Sequence, residues 1–355
     1  MSKSIVTHSG IFHADEVMAT AILDLLGKWN GTFIRTRNLD FINSQEGHVF
    51  IIDVGGIYSE ETLRFDHHQE TFDSYFDQKS KDRGIKMSSC GLVYYHFGQE
   101  FFSGRDDAEY LHEKFYRLYI EEIDANDNGV SELKEGYSSD VFRYRKCWSS
   151  AAIVGNFNGS KVADTGPLAE EQDTAFIAAA DQCKILFNNA LVSFLEREDA
   201  YQASRKIIEE ATVNYVRGKV MVVLDDKCDY TQVLRDHDKS IFDNKVCLTV
   251  LPREDGKNQQ NDKWQVHTVE VPGKRFKHKV DIIPTEEAKK VIGDDLVFVH
   301  KNRFIAVTKS RHSAYKLARA SLEVHSKKEK KEMVRRLMIV CACGVLSAIV
   351  FKIFG

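Results

Sequence analysis

The run Val49-Phe50-Ile51-Ile52, followed at once by Asp53-Val54-Gly55-Gly56, restricts the fold more than any other stretch of the chain. Four consecutive apolar side chains place hydrophobic groups on both faces of a strand. Val49 to Val54 is therefore expected at the centre of a sheet covered on both sides, the usual situation of parallel strands. The neighbouring segments agree. Ile5-Val6 reads as a short first strand. Asp15 to Leu26 reads as a helix with Val17, Met18, Ala21, Ile22, Leu25 and Leu26 on one face and Gly27 as its stop. Thr32 to Thr36 reads as another strand, and Ser89 to Phe97 and Ala108 to Ile123 as helices. Strands alternating with helices imply an α/β fold built on a largely parallel sheet.

Ligands of such sheets sit beyond the carboxyl ends of the strands, and acids and imidazoles gather at those ends. His8 follows the first strand, and His13 and Asp15 open the first helix. Asp53 ends the central run, Asp66-His67-His68 follows Arg64-Phe65, and Asp124 ends the run Tyr116 to Ile123. Any one of these alone is more often a surface histidine or a capping aspartate. Together they form a set suited to divalent cations, and the lack of thiolates favours Mn²⁺, Mg²⁺, Co²⁺ or Zn²⁺. Asp53 is the best candidate to bridge two ions, since it ends the most buried strand. Such a pair would clamp the attacking and leaving oxygens of a phosphoryl transfer.

Four motifs carry a resemblance to a known family. They are Thr7-His8 with Phe12-His13-Ala14-Asp15-Glu16; Asp53-Val54-Gly55-Gly56-Ile57-Tyr58; Arg64-Phe65-Asp66-His67-His68-Gln69; and Asp124-Ala125-Asn126-Asp127-Asn128-Gly129. They resemble the motifs of the DHH phosphoesterase superfamily, with wording nearest the Myg (melanocyte proliferating gene) family. The run Ser88-Ser89-Cys90-Gly91 to Gly98 is similar to that family as well. The resemblance implies two domains with an active-site cleft between them and a metal-dependent 3′→5′ exonuclease acting on RNA, in the nucleus and mitochondria. It implies one ion, Mn²⁺ by preference, on His8, His13 and Asp53, and a second on Asp15, Asp53, His67 and Asp124, with Asp127 the alternative to Asp124. His68 would face the scissile phosphate, and Asp66 would orient His67. Hydroxide held by the ions would attack phosphorus in line, leaving no need for a side-chain nucleophile. Ser88 and Ser89 would donate to substrate oxygens or cap their helix. Ile153 stands where the family has arginine and Gly159 where it has proline. Arg303-Phe304-Ile305-Ala306-Val307 lacks the family's glycine.

The expected domains are 1–165 for the metal-binding unit, 166–212 for a helical connector and 213–326 for a smaller α+β unit that binds substrate. Val220 to Leu224, Val246 to Val250 and Trp264 to Val271 read as strands of the last. Leu296 to His300 and Phe304 to Thr308 read as a hairpin, followed by a helix from Ser313 to Val324. Lys274, Arg275 and Lys277, with Phe276 among them, form the best basic patch for a nucleic-acid backbone, or else a charged loop. The net charge of −4 argues against a general polyanion binder. Seven cysteines without a Cys-x-x-Cys pair read as reduced thiols, and no targeting signal precedes Ser4. Residues 327–355 form a basic segment and an apolar tail. The uncharged run 337–351 spans about 22 Å as a helix against a hydrocarbon core of roughly 30 Å. It is expected to be a short membrane anchor that keeps the enzyme on the cytosolic side. Two other functions fit the same residues: a pyrophosphatase or hydrolase of short or cyclic oligonucleotides, and a non-catalytic, metal-stabilised RNA-binding scaffold at a membrane.

Overall fold

The computed structural model describes residues 2–354 apart from 46, 134–148, 161–165, 227, 229, 242–244, 254–262, 272–273 and 275–276. The chain divides into two compact units, Met1–Leu195 and Glu196–Gly355.

The first unit follows the α/β expectation. Strand β1 (Lys3–Thr7) leads into helix α1 (Ala14–Leu25), then β2 (Trp29–Arg35) and a short helix α2 (Leu39–Ser44). The apolar run becomes β3 (Phe50–Ile52), all of it buried. After it come β4 (Tyr58–Ser59) and β5 (Arg64–Phe65). The sheet order is β2-β1-β3-β5-β4. The pairs β1–β2, β1–β3 and β3–β5 are parallel, and only β4 runs antiparallel. Apolar groups on both faces thus put β3 between β1 and β5, and their carboxyl ends lie side by side. A backbone hydrogen bond from Asp53 N–H to Phe65 C=O, 3.2 Å, links the two ends that carry Asp53 and Asp66-His67-His68.

Helices α3 (Gln78–Asp82), α4 (Ser89–Phe97) and α5 (Ala108–Phe115) follow, and α1 packs on α4. The helix expected over 108–123 is interrupted. Residues Tyr116–Ile120 form one wide π turn before α6 (Glu121–Asp127). The extra residue lets the adjacent Phe115 and Tyr116 both be buried, and the helix runs on to Asp127. Helix α7 (Ser150–Gly155) and the 43-residue α8 (Pro167–Glu209) complete the set. Phe176, Ala180, Cys183, Phe187 and Phe194 of α8 enter the core of this unit.

The second unit holds β6 (Thr212–Val216), β7 (Lys219–Val223), α9 (Tyr230–Ile241), β8 (Val246–Arg253), β9 (Lys263–Thr268), α10 (Thr285–Ile292), β10 (Leu296–Val299), β11 (Ile305–Thr308) and α11 (Arg311–Phe354). Its sheet order is β10-β11-β9-β8-β7-β6, antiparallel except for β7–β8. The expected hairpin is β10–β11. The helix expected to stop near Val324 does not stop there. The Lys- and Glu-rich segment after Ser326 consists of strong helix formers, and α11 continues through it. Glu329 there meets Lys219 of β7 at 2.9 Å. Among the described residues no helix is long and apolar enough to cross a membrane. The side chains of 336–354 lie outside the described residues, so the anchor expected of 337–351 gains no support.

Helices α4 and α6 meet so closely that a Cβ on Gly91 would overlap both carboxylate oxygens of Asp124. Gly91→Ala is therefore expected to cost about 1–3 kcal/mol. The fall would be read from the midpoint of urea unfolding, and an unchanged midpoint would refute the close approach.

Candidate metal centre

The chain leaves β1 at Thr7 and delivers His8, then loops through Gly10 to His13 and enters α1. Buried groups from distant segments hold that loop. Arg35, from β2, reaches back with Nε to the His8 carbonyl at 3.2 Å and with Nη2 to the Gly10 carbonyl. Its guanidinium lies over Phe12 and Phe176 and meets Asp173 of α8 at 3.4 Å. Asn158 grips the Phe12 peptide from both sides, accepting from its N–H at 3.1 Å and donating to its carbonyl at 2.7 Å. Glu16, fully buried, accepts from the His13 N–H at 2.9 Å, as the third residue of a helix does in a capping box.

Asp53 sits where β3 ends, with φ of +56°, a left-handed conformation that few non-glycine residues adopt. Gly55, with φ of +96°, completes the turn, and a Cβ there would press on Arg64 Nη2. The turn aims the two oxygens of Asp53 in different directions. Oδ2 stands 3.2 Å from His8 Nε2, while Oδ1 stands 3.5 Å from His67 Nε2 and 3.4 Å from His68 Nδ1. His8 Nε2 also meets Glu16 at 3.0 Å, and His67 Nε2 meets Asp127 at 3.0 Å and Asp15 at 4.0 Å. Three overlapping ligand groups result: His8, His13, Glu16 and Asp53; Asp53, His67 and His68; and His13, Asp15 and Asp127. Asp53 and His13 are each shared by two groups. A cavity of about 660 Å³ opens on His13, Asp15, His67, His68 and Asp127.

These positions suit cations on two independent grounds. Asp15 is fully buried and neither of its oxygens has a hydrogen-bond partner. Buried polar atoms are rarely left so unless an ion or water serves them. The second ground is charge. Burial, then the neighbouring Asp53, Glu16 and Asp127 carboxylates, push the Asp15 carboxyl well above its ordinary range. His8 and His67 both lose charge stability to burial. The carboxylates facing them outweigh that loss and push each up to about 10. Asp53 is opposed by burial yet held low by His67 and His8.

Several expected roles change. Asp124 is fully buried and turned away from the ligand groups. Its Oδ1 accepts from Ser88 N–H, Ser88 Oγ and Gly91 N–H at 2.7–3.0 Å, and its Oδ2 accepts from Tyr116 at 2.7 Å. Asp127, three residues and nearly one helical turn further on, stands beside His67 instead. Asp66 does not orient His67. Its Oδ1 accepts from His68 Nδ1 at 2.8 Å, and its Oδ2 from Gly56 N–H at 2.5 Å. Ser88 and Ser89 are wholly buried, Ser88 on Asp124 and Ser89 Oγ 3.4 Å from Asp53 Oδ1, so neither hydroxyl is open to substrate. Lys274 and Lys277 are exposed on the second unit, and Arg275 lies outside the described residues. Sequence reasoning missed Glu16, Arg35 and Asn158 as site residues. Only Glu16 had a local signal, its place three residues after His13 at a helix start.

The imidazoles set a pH dependence. Each contributes stability in full below its ordinary pKa of 6.5 and loses it as pH climbs toward about 10. Asp53 contributes above its ordinary 3.8 and loses that contribution as pH falls below it. The chelator-treated chain should therefore lose Tm between pH 6.5 and 9. Mn²⁺ must displace those imidazole protons, so the Tm increment it gives should grow over the same range. A flat or rising Tm in chelator would contradict the ion pairs. Asp127→Asn should reduce the Mn²⁺-dependent increment, whereas Asp124→Asn should lower Tm with and without the ion, as differential scanning fluorimetry would report.

A profile for the family described as MYG1_exonuc, Uncharacterised protein family (UPF0160), matches residues 4–322. The MYG1 protein of Dictyostelium discoideum is 33% identical over 340 residues, which cover 89% of this chain and 95% of that protein. The Mus musculus protein named MYG1 exonuclease is 29% identical over 346 residues, 90% of this chain and 84% of that one. Among solved structures, the pGpG-specific phosphodiesterase PggH of Vibrio cholerae aligns over 94% of this chain and 98% of its own, with a TM-score of 0.30 and 11% identity. A superposition that loose bears on neither fold nor chemistry. The match along residues 4–322 and the Dictyostelium relative suffice: the chain belongs to the MYG1_exonuc family.

Proposed function

We propose that this chain is a metal-dependent phosphodiester hydrolase that removes nucleoside monophosphates from the 3′ end of RNA. The observation that carries the reading is Asp53, whose two oxygens face separate histidine sets across one carboxylate. The name MYG1 exonuclease, borne by mammalian relatives, supports the same class of reaction.

Divalent cations on His8, His13, Glu16, Asp53, Asp15, His67 and Asp127 would neutralise phosphate charge and lower the pKa of water. The remaining work falls to the chain's own groups. His68 is the exposed imidazole of the set, its side chain 62% accessible, with Nδ1 fixed by Asp66. The Asp66 carboxylate raises its pKa, outweighing burial, and Nε2 is the ring nitrogen left to face a phosphate oxygen. Arg35 and Asn158 fix the span between His8 and His13, and Ser89 steadies Asp53. The thiol near the centre, Cys90, is fully buried, and burial and the Asp124 and Asp15 carboxylates push its pKa up. It is not a nucleophile.

The test is a 5′-labelled RNA incubated with the full chain, with and without Mn²⁺. A metal-dependent ladder shortening from the 3′ end is expected. His67→Ala and Asp53→Ala should reduce its rate by more than about 100-fold. Asp127→Asn should fall with them, and His68→Gln should lower kcat with Mn²⁺ binding retained. Full-length RNA remaining after incubation beside hydrolysed pyrophosphate would reject the exonuclease reading in favour of a small-substrate hydrolase.

A further inference from the structure

A second pocket of about 370 Å³ lies on the first unit, framed by the rings of Tyr58, Tyr75 and Tyr95 together with Lys81 and Met87. Its rings are fixed by neighbours. Tyr58 OH bonds to His96 Nε2 at 2.7 Å, Tyr75 OH donates to Asp73 at 3.0 Å, and Tyr95 meets Phe76 edge-on at 5.8 Å between centroids. Lys81 Nζ stands 5.4 Å from the centre of the Tyr75 ring. The acids in the lining are already engaged, Asp77 by Arg117, and Asp73 by Lys86 at 3.7 Å and Lys81 at 4.0 Å. The lining itself carries these two acids and one lysine, Lys81, and Lys79 is exposed nearby.

The pocket is coupled to the metal centre through a single ring. Phe72 packs edge-on against Tyr58 at 5.9 Å and against His67 at 6.1 Å, and Lys86 Nζ holds the Phe72 carbonyl at 2.6 Å. Pinned phenol rings beside Lys81 and Lys86, with Phe72 alone between them and His67 of the metal centre, have the make-up of a site for single-stranded nucleic acid. In such sites aromatic faces take bases and cations track the backbone. We propose that this pocket is a second subsite that stacks a base of the substrate strand on Tyr75 and Tyr95, with Lys81 and Lys86 meeting the adjoining phosphate. This rests on the reading of the chain as an RNA hydrolase and adds where the strand is gripped. Tyr58 and Phe72 act as positioning residues between the subsite and His67.

The experiment separates grip from chemistry. Binding of a fluorescent ten-nucleotide RNA to the full chain is measured by anisotropy in chelator, and Mn²⁺-dependent hydrolysis of bis(p-nitrophenyl) phosphate is measured alongside. Tyr75→Ala with Tyr95→Ala should weaken RNA binding about tenfold or more and raise KM for RNA, with kcat and the small-diester rate unchanged. The pair Tyr75→Phe and Tyr95→Phe keeps both rings and should retain affinity. RNA affinity within twofold of the parent in the alanine pair would overturn the subsite. So would equal loss in the phenylalanine pair, or a small-diester rate that falls in step with RNA binding. A parent chain that binds RNA but hydrolyses neither RNA nor the small diester would refute the hydrolase reading while leaving the subsite standing.

Discussion

Acids crowded together without water repel one another, and the first unit brings Asp15, Glu16 and Asp53 to one place where all three are buried. Burying a carboxylate is costly unless charge or hydrogen bonds compensate it. Here the compensation is unequal. Asp53 faces His8, His67 and His68, and Glu16 faces His8 and the start of α1, while Asp15 is left with bare oxygens. Such an imbalance persists only in a frame stiff enough to resist relaxation. Three features supply the stiffness: the central position of β3, the left-handed turn at Asp53, and the clamp of Arg35 and Asn158 on the loop between His8 and His13.

Much of this was legible in the sequence because the signals were local. Apolar residues on both faces marked β3 as a central parallel strand, and acids and imidazoles at strand ends marked the site. The family likeness grouped His8, His13 and Asp53, and Asp15 with His67, and the structure brings the members of each group close together. What could not be read was decided by side-chain direction on a helix. Asp124 and Asp127 lie three residues apart on α6, and sequence alone does not say which one faces His67. The π turn at Tyr116–Ile120, invisible to an apolar-period reading, precedes both. Tyr116 and the start of α4 saturate Asp124 and leave Asp127 for the imidazole.

The same limit explains Asp66 and the serines. Adjacent residues after a strand point to opposite sides, so the carboxylate before two histidines serves whichever ring folds back on it. In this chain that ring is His68. Ser88 and Ser89 begin α4 inside the core, where their hydroxyls complete Asp124 and approach Asp53 instead of facing solvent. Arg35 meets Asp173 across 138 residues and Asn158 meets Phe12 across 146, separations at which no spacing rule operates.

The backbone bond from Asp53 N–H to Phe65 C=O carries a consequence for dynamics. It joins the two strand ends that bear the opposing ligands, so a fluctuation that opens it also draws Asp53 away from His67 and His68. Amide exchange at this one position therefore follows local opening of the centre itself, reporting how long the ligand set stays assembled without reference to catalysis.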